Sequence, residues 1–379
     1  MTKFKVDYVI IGAGFYGLYA AKILSERGLS VLLIESSSRI MDKASSINQA
    51  RIHNGYHYPR SYATAKKTHE YFEKFKKKFD FCLKSDFKQL YGIASNFSYT
   101  NAAQFEKFCS NASIPCKPIR VEDYFQSRQV EMAYEVEEYT YDFATLAKFL
   151  NDKLSEKKNV TFMLSSWITQ VDQDHDEFYM SLNTGCLVQS KRVLNATYAS
   201  LNAINDLFGV PRKKIKYELC EVALGKANNA LRDIGITLMD GPFLSTMPFG
   251  MTGKHTLTSV LHTPHFQSHT GLPIFPSQAH TQDCKSELIG DCSRCDMRPK
   301  TKWPAMYKEF RKYFADHLDL KYDYSRFAIK AVLQDAEIDD KRPTLIDTHQ
   351  KQPLYKSVFS GKINNVFDLQ EELLGDLND

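Results

Sequence analysis

From Lys5 the chain alternates polar and apolar positions and then runs apolar to Ile11, the pattern of a strand entering a covered sheet. Glycines follow at 12, 14 and 17. Ala20, Ala21 and Leu24 recur at helical spacing, which predicts a helix over Leu18–Arg27 with Gly28 as its stop. Ser30–Ile34 reads as a second strand closed by Glu35. A strand–helix–strand opening predicts a parallel sheet.

Ala63–Phe79 reads as a helix, and Asp142 as the N-cap of another through Leu154. Strands are expected at Val160–Leu164, Ile168–Asp172, Glu177–Asn183 and Lys191–Ala196. From Tyr217 to His262 the pattern is mainly strand and turn, with turns at Asp240-Gly241-Pro242 and Pro248-Phe249-Gly250. Trp303–His317 and Asn365–Leu374 read as helices, and Phe327–Leu333 and Ser357–Ser360 as strands. The expected class is α/β. A Rossmann-like domain for a dinucleotide would occupy 1–80, 145–215 and 326–379, and a second, mixed β-sheet domain for the substrate would be inserted discontinuously as 81–144 and 216–325.

A chain of 379 residues suits two domains, and 43% hydrophobic with 25% charged residues is normal for a globular protein. The net charge of +4 gives no reason to expect a nucleic-acid partner. Lys74, Lys76, Lys77 and Lys78 interleave with Phe72, Phe75 and Phe79, as on a helix with one solvated lysine face. Tyr8–Ile11 is too short for a signal peptide and leads into the glycines; no apolar run approaches the ~20 residues a membrane span needs. The eight scattered cysteines do not read as a disulfide framework, so a cytoplasmic setting is expected. His280, Cys284, Cys292 and Cys295 include one C-x-x-C pair, but the other spacings are irregular. A loop with free thiols is expected there, with no metal.

Gly12-Ala13-Gly14-Phe15-Tyr16-Gly17 fits G-x-G-x-x-G between a predicted strand and helix. Gly12 permits the tight turn, Gly14 lets backbone approach a pyrophosphate, and Gly17 lets helix and sheet pack closely. The phosphates would meet free N–H groups and the positive end of the helix dipole. Glu35, ending the next strand, suits a grip on ribose hydroxyls and disfavours a 2′-phosphate, hence NADP. The motif alone leaves FAD and NAD open.

Ser45-Ser46-Ile47-Asn48-Gln49-Ala50-Arg51-Ile52-His53-Asn54-Gly55-Tyr56-His57-Tyr58 resembles the D-amino-acid oxidase superfamily of flavoproteins, which includes sarcosine and glycine oxidases and L-2-hydroxyglutarate oxidase. The likeness is nearest to the last of these, where a small-polar run leads to His-x-Gly-x-x-Tyr. Leu194-Asn195-Ala196-Thr197-Tyr198-Ala199 resembles the superfamily's Asn-Ala-x-Gly strand end, with Tyr198 where glycine is common. Phe359-Ser360-Gly361-Lys362-Ile363-Asn364-Asn365 resembles the loop at the pyrimidine edge of the flavin, and only Gly361 of its usual glycines is present. The resemblance implies FAD, held without a covalent bond, in a flavin-dependent oxidase or dehydrogenase. No second glycine motif appears, so a separate NAD(P)H domain is not expected.

Together, motif and resemblance put Gly12, Gly14, Phe15, Tyr16, Gly17, Glu35, Ser36, Arg39, Ser46, Arg51, Ile168, Val171, Thr197, Gly361, Lys362, Ile363 and Asn364 around the cofactor. The helix opened by Asn364 and Asn365 would face the flavin O2 edge. Arg51, His53 and Lys362 are implied at the reacting centre, with Tyr56, His57 and Arg342 toward the substrate. Arg342 stands in Asp340-Lys341-Arg342-Pro343-Thr344, which resembles the superfamily's arginine–proline stretch, and an arginine fork suits a carboxylate. Each has a plainer reading: a salt bridge for Arg51, a turn histidine for His53, boundary packing for the aromatics, a loop ion pair for Arg342.

The expected reaction removes a hydride from a CH–NH or CH–OH carbon of a small, carboxylate-bearing substrate, with oxygen or a quinone or carrier protein as electron acceptor. A flavin enzyme for a sugar or nucleotide-sugar is the runner-up, since 25 Phe and 21 Tyr could stack sugar rings. A non-catalytic flavin-binding redox sensor is the third reading.

Overall fold

Tyr8–Ile11 and Val31–Ile34 are buried along their whole length and lie side by side in parallel, Tyr8 opposite Val31 and Ile11 opposite Ile34. Continuous apolar runs of this kind suit a sheet covered on both faces. The computed structural model describes residues 2–241, 244–281, 284–334 and 344–377. In it these strands sit within a six-stranded sheet in the order Val160–Met163, Val31–Ile34, Tyr8–Ile11, Arg192–Asn195, Leu354–Phe359 and Leu345–Lys351. The first five are parallel and the last closes an antiparallel hairpin.

The helices of the described residues are α1 (Phe15–Glu26), α2 (Tyr62–Phe79), α3 (Ala102–Ala112), α4 (Phe143–Ser155), α5 (Leu201–Leu207), α6 (Trp303–Tyr313) and α7 (Val366–Gly375). Leu18, Ala20, Ala21 and Leu24 of α1 pack with Phe72, Phe75 and Phe79 of α2, Leu146, Leu150 and Leu154 of α4, and Leu369 and Leu373 of α7. Phe72, Phe75 and Phe79 of α2 face inward, while Lys74, Lys77 and Lys78 stay exposed. Asp142 caps α4 by accepting the Thr145 N–H at 2.8 Å. No helix of the described residues is long and apolar enough to cross a membrane.

The second body is a nine-stranded mixed sheet. Ile215–Ala227 is its spine, flanked by Pro264–Ser268, His255–Ser259 and Leu320–Leu333. Ile234–Met239 pairs in parallel with Lys88–Ala94 and joins the early excursion to the late one. Two details differ from the sequence expectation. Lys3–Val6 breaks from Tyr8–Ile11 and enters a separate sheet beside Leu187–Ser190, because Asp7 turns to accept the Ser30 N–H at 2.8 Å. Leu320–Leu333 crosses the expected boundary at 325/326 and belongs along its whole length to the nine-stranded sheet, paired with Ile215–Ala227. A small sheet of Arg51–Ile52, Tyr139–Tyr141 and Leu83–Lys84 carries Arg51 to the junction of the bodies.

Candidate active site

The turn after Tyr8–Ile11 is built on glycine geometry. Gly12 has φ +100°, and a Cβ there would lie 2.8 Å from the Ala196 carbonyl oxygen. A Cβ on Gly17 would collide with the Gly12 carbonyl oxygen, so α1 packs on its own entry turn only through glycine. Gly14 is the N-cap of α1. Glu35 clamps the loop: one carboxylate oxygen accepts the Ala13 N–H and the other the Ser37 N–H, both at 2.8 Å. Ser45 Oγ accepts the Phe15 N–H at 3.0 Å, the first amide of the helix.

A cavity of about 1690 Å³ runs from this loop to the junction of the two sheets. Gly12, Gly14, Phe15, Tyr16, Glu35, Ser36, Ile168, Thr197, Arg51, His53, His57, Gly361, Lys362 and Ile363 all line it. An extended dinucleotide fits these walls: backbone amides and a helix N-terminus at one end, a carboxylate beside them, and cationic side chains at the other end. The residues that would hold FAD are therefore Gly12, Gly14 and the start of α1 at the phosphates, Glu35 at a ribose, and the Gly361–Ile363 loop at the ring.

Other expected positions stand back from the cavity wall. Gly17 is inside the helix–sheet contact. Arg39 is exposed and pairs with Asp42 at 2.8 Å. Ser46 is buried and accepts from Arg326 at 3.1 Å. Val171 packs in the cluster with Ile168 and Phe178. Tyr56 is buried in the aromatic cluster of Tyr91, Phe105 and Tyr134, with its hydroxyl on the Pro115 carbonyl, so it packs the second body rather than the pocket. Asn364 is buried and donates to the His53 carbonyl at 3.0 Å, which ties the last loop to the histidine segment. Arg342 lies outside the described residues. Tyr198, at a position where glycine is common in the superfamily, adopts φ +53°. Its ring stacks on Phe359 and its hydroxyl bonds the Ala331 backbone, contacts a glycine could not make.

The inner end of the cavity is a buried polar network. Arg51 Nη1 meets Glu138 Oε2 at 2.8 Å and Tyr91 Oη at 2.6 Å, and Nη2 donates to Thr237 and Ser245 at 2.8 and 2.7 Å. Tyr91 Oη also lies 2.6 Å from His57 Nδ1. His53 Nδ1 is 3.6 Å from Glu138 Oε1. Lys362 Nζ sits 3.9 Å from the centroid of the Tyr58 ring and donates to Thr68 at 3.2 Å. Burial holds the His53 pKa below its ordinary value; Glu138 pushes it up, and the charges of Arg51 and Lys362 push it down again. Burial works to raise the Glu138 pKa, and Arg51 with His53 outweighs it, leaving the carboxyl well below the usual range.

Glu138, Tyr91, Thr237 and Ser245 were missed in the sequence. They come from three strands and a connection far apart in the chain, and no local spacing marks them. His53, His57 and Glu138 gather three ligand atoms within 4.8 Å of one another. The Arg51 guanidinium, 2.8 Å from Glu138 and 3.4 Å from His57 Nε2, already supplies the cation there. At the cysteine loop, Cys284 Sγ accepts the Gly290 N–H at 3.3 Å, and all eight cysteines are free thiols.

Among solved structures, the chain resembles L-α-glycerophosphate oxidase from Mycoplasma pneumoniae with FAD bound (TM-score 0.71, 14% identity, 99% of this chain and 95% of that one). It also resembles glycine oxidase from Geobacillus kaustophilus (TM-score 0.66, 12% identity, 99% and 94%). In sequence it is 23% identical to an FAD-dependent monooxygenase of Fusarium mangiferae over 98% of this chain and 90% of that protein. A 66-residue stretch is 41% identical to mitochondrial L-2-hydroxyglutarate dehydrogenase of Arabidopsis thaliana, covering 17% of this chain and 14% of that one. The family model for FAD-dependent oxidoreductases of the D-amino-acid oxidase type matches residues 7–241, more than half of the chain; the chain belongs to that family and is an FAD-dependent oxidoreductase.

Proposed function

We propose that the protein oxidises a CH–OH or CH–NH carbon beside an acid group on a small substrate. The observation that carries this reading is a half-buried histidine and a buried cation on one cavity wall. Desolvation lowers the His53 pKa and favours the neutral ring, which can accept the O–H or N–H proton. Lys362 Nζ lies 3.9 Å from the centroid of the Tyr58 ring, which is itself 6.3 Å from that of His53. The positive charge of Lys362 on the cavity wall suits a substrate anion. FAD, when bound, supplies the hydride acceptor. Arg60, which also lines the cavity and packs over Tyr99, offers a second positive group nearer the surface. Arg342, outside the described residues, is the proposed fork for the carboxylate.

The names of the relatives support this class: glycerophosphate, glycine and 2-hydroxyglutarate all carry an acid group near the oxidised carbon. Oxygen, a quinone or a carrier protein would reoxidise the site. Eight unpaired cysteines support a cytoplasmic setting. The test is anaerobic bleaching of the FAD-loaded protein by L-2-hydroxyglutarate, glycerol 3-phosphate, glycine and L-proline, set against glycerol, glucose and a nucleotide-sugar. Bleaching by one acid class and by no neutral compound is expected. Bleaching by sugars alone would replace this reading with the sugar-oxidising one.

A further inference from the structure

We propose that Glu138 is the positioning residue of this site: it fixes the ring proton of His53 on Nδ1, turns the Nε2 lone pair to the substrate, and leaves His57 unable to serve as base. The inference rests on the reading of His53 given above and adds the group that makes it work.

The protons of the network can be counted. Arg51 is always protonated and only donates. Glu138 Oε2 accepts from Arg51 and, at 2.7 Å, from the Tyr91 hydroxyl. A Tyr91 hydroxyl that donates to Glu138 must accept from its other neighbours, Arg51 Nη1 and His57 Nδ1. His57 therefore carries its proton on Nδ1, and its Nε2 lone pair faces Arg51 Nη1 at 3.4 Å. A second proton on His57 would point at the guanidinium. The guanidinium shields the lone pair of this histidine.

His53 is placed differently. Glu138 Oε1 accepts the Asn54 N–H at 3.2 Å and faces His53 Nδ1 at 3.6 Å, too long for a hydrogen bond and short enough for charge to act. A carboxylate beside Nδ1 favours the proton there, as partners set imidazole tautomers generally. The ring then presents Nε2 as acceptor, and the imidazolium formed on proton uptake is balanced by Glu138. The other charged or titratable groups around His53 are Arg51, Lys362, His57 and Tyr91, with Tyr58 beside it; His69 on α2 reaches only as far as Asn54, at 2.6 Å. Among the described residues Glu138 is the anion that faces His53, so its loss lowers the proton affinity of His53.

The experiment is histidine-selective ¹⁵N NMR on the FAD-loaded protein, with the His53 signal assigned by its loss in His53→Gln. In the parent the Nδ1–H form of His53 is expected; finding the Nε2–H form overturns the proposal without any variant. In Glu138→Gln the His53 midpoint should fall by about one unit or more, and the acid limb of kcat/KM with the acid that bleaches the flavin should move to lower pH with it. Glu138→Asp should restore most of the midpoint. A merely structural Glu138 would lower kcat and leave the limb in place, which also overturns the proposal. If His53→Gln keeps the acid limb, the base reading itself fails, a result separate from any behaviour of Glu138.

Discussion

Arg51 and Glu138 meet at 2.8 Å with side chains 1% and 0% exposed, and the same guanidinium reaches Thr237 and Ser245 on two strands of the nine-stranded sheet. Arg51 thus holds the small sheet of the cofactor side against the second body. Its first role is structural, whatever it adds at the ring. Arg51→Met would strand Glu138 as a buried, unpaired charge, at a cost of about 3–5 kcal/mol. Urea unfolding of the FAD-loaded protein should show that loss. The double variant Arg51→Met/Glu138→Gln should recover part of it, because no charge is left unpaired. Equal stability of the single variant and the parent would show that the pair is not buried in solution.

Gly17 offers a sharper test of the nucleotide fold. Any Cβ there collides with the Gly12 carbonyl oxygen, and backbone cannot move aside as a flexible side chain can. Gly17→Ala should give a protein that does not retain FAD on gel filtration. Gly185 has φ +79° but open space around it, so Gly185→Ala should cost only the left-handed strain, about 1–2 kcal/mol, and keep its flavin. Retention of FAD by Gly17→Ala would contradict the close approach of α1 to its entry turn.

Glu35→Gln should weaken FAD binding about tenfold or more, the loss of a hydrogen bond to a charged acceptor. The structure adds a reason beyond the ribose. Glu35 also accepts the Ala13 and Ser37 amides, so a neutral amide presents a donor where an acceptor is needed. Glu26 pairs with Lys22 at 2.6 Å along α1, away from the glycine turn, and Glu26→Gln should leave FAD affinity unchanged. Isothermal titration of the apoprotein with FAD separates the two.

The nucleotide half was legible because its signals are local. The strand, glycine turn, helix and Glu35 sit within one βαβ unit, and each glycine answers to a contact in the structure. The aromatic face of α2 and the Asp142 cap were readable for the same reason. The candidate site was half legible. His53, Lys362 and Arg51 were reached through resemblance. Glu138 and Tyr91 were not, since their proximity depends on how Lys88–Ala94 and Tyr139–Tyr141 fold over the segment around His53. Helix α6 was expected to run to His317 and ends at Tyr313, because Phe314 turns extended to bridge Phe125.

His255 gives a stability test independent of flavin. It is 2% exposed, its Nδ1 has no hydrogen-bond partner among the described residues, and burial pushes its pKa from 6.5 down to about 4. The fold therefore prefers the neutral ring. The stability this brings is complete above pH about 6.5 and is lost as pH falls toward about 4, on the order of 3 kcal/mol in all. His255→Asn should flatten the acid side of the stability curve in that window. A curve that keeps the parent's slope there would show that His255 does not titrate with unfolding.

Lys362 decides whether the substrate is an acid. Lys362 is 6% exposed and lines the cavity, with its ammonium over the Tyr58 ring and beside the Thr68 hydroxyl. A cation in that setting gains from an anion arriving in the cavity. Lys362→Met keeps the length and apolar stem and removes the charge. Loss of that charge should raise KM for the acid that bleaches the flavin at least tenfold, about 1.4 kcal/mol of binding. The same change relieves His53 of a nearby positive charge, so the His53 pKa should rise and the acid limb of kcat/KM move to higher pH. The two effects come from one charge and should appear together. A neutral analogue of the substrate, turned over slowly by the parent, should be insensitive to the change in KM and still show the shifted limb. If Lys362→Met moves the limb but leaves KM for the acid unchanged, the lysine tunes the histidine and the substrate anion is held elsewhere, with the stretch around Arg342 the next place to look.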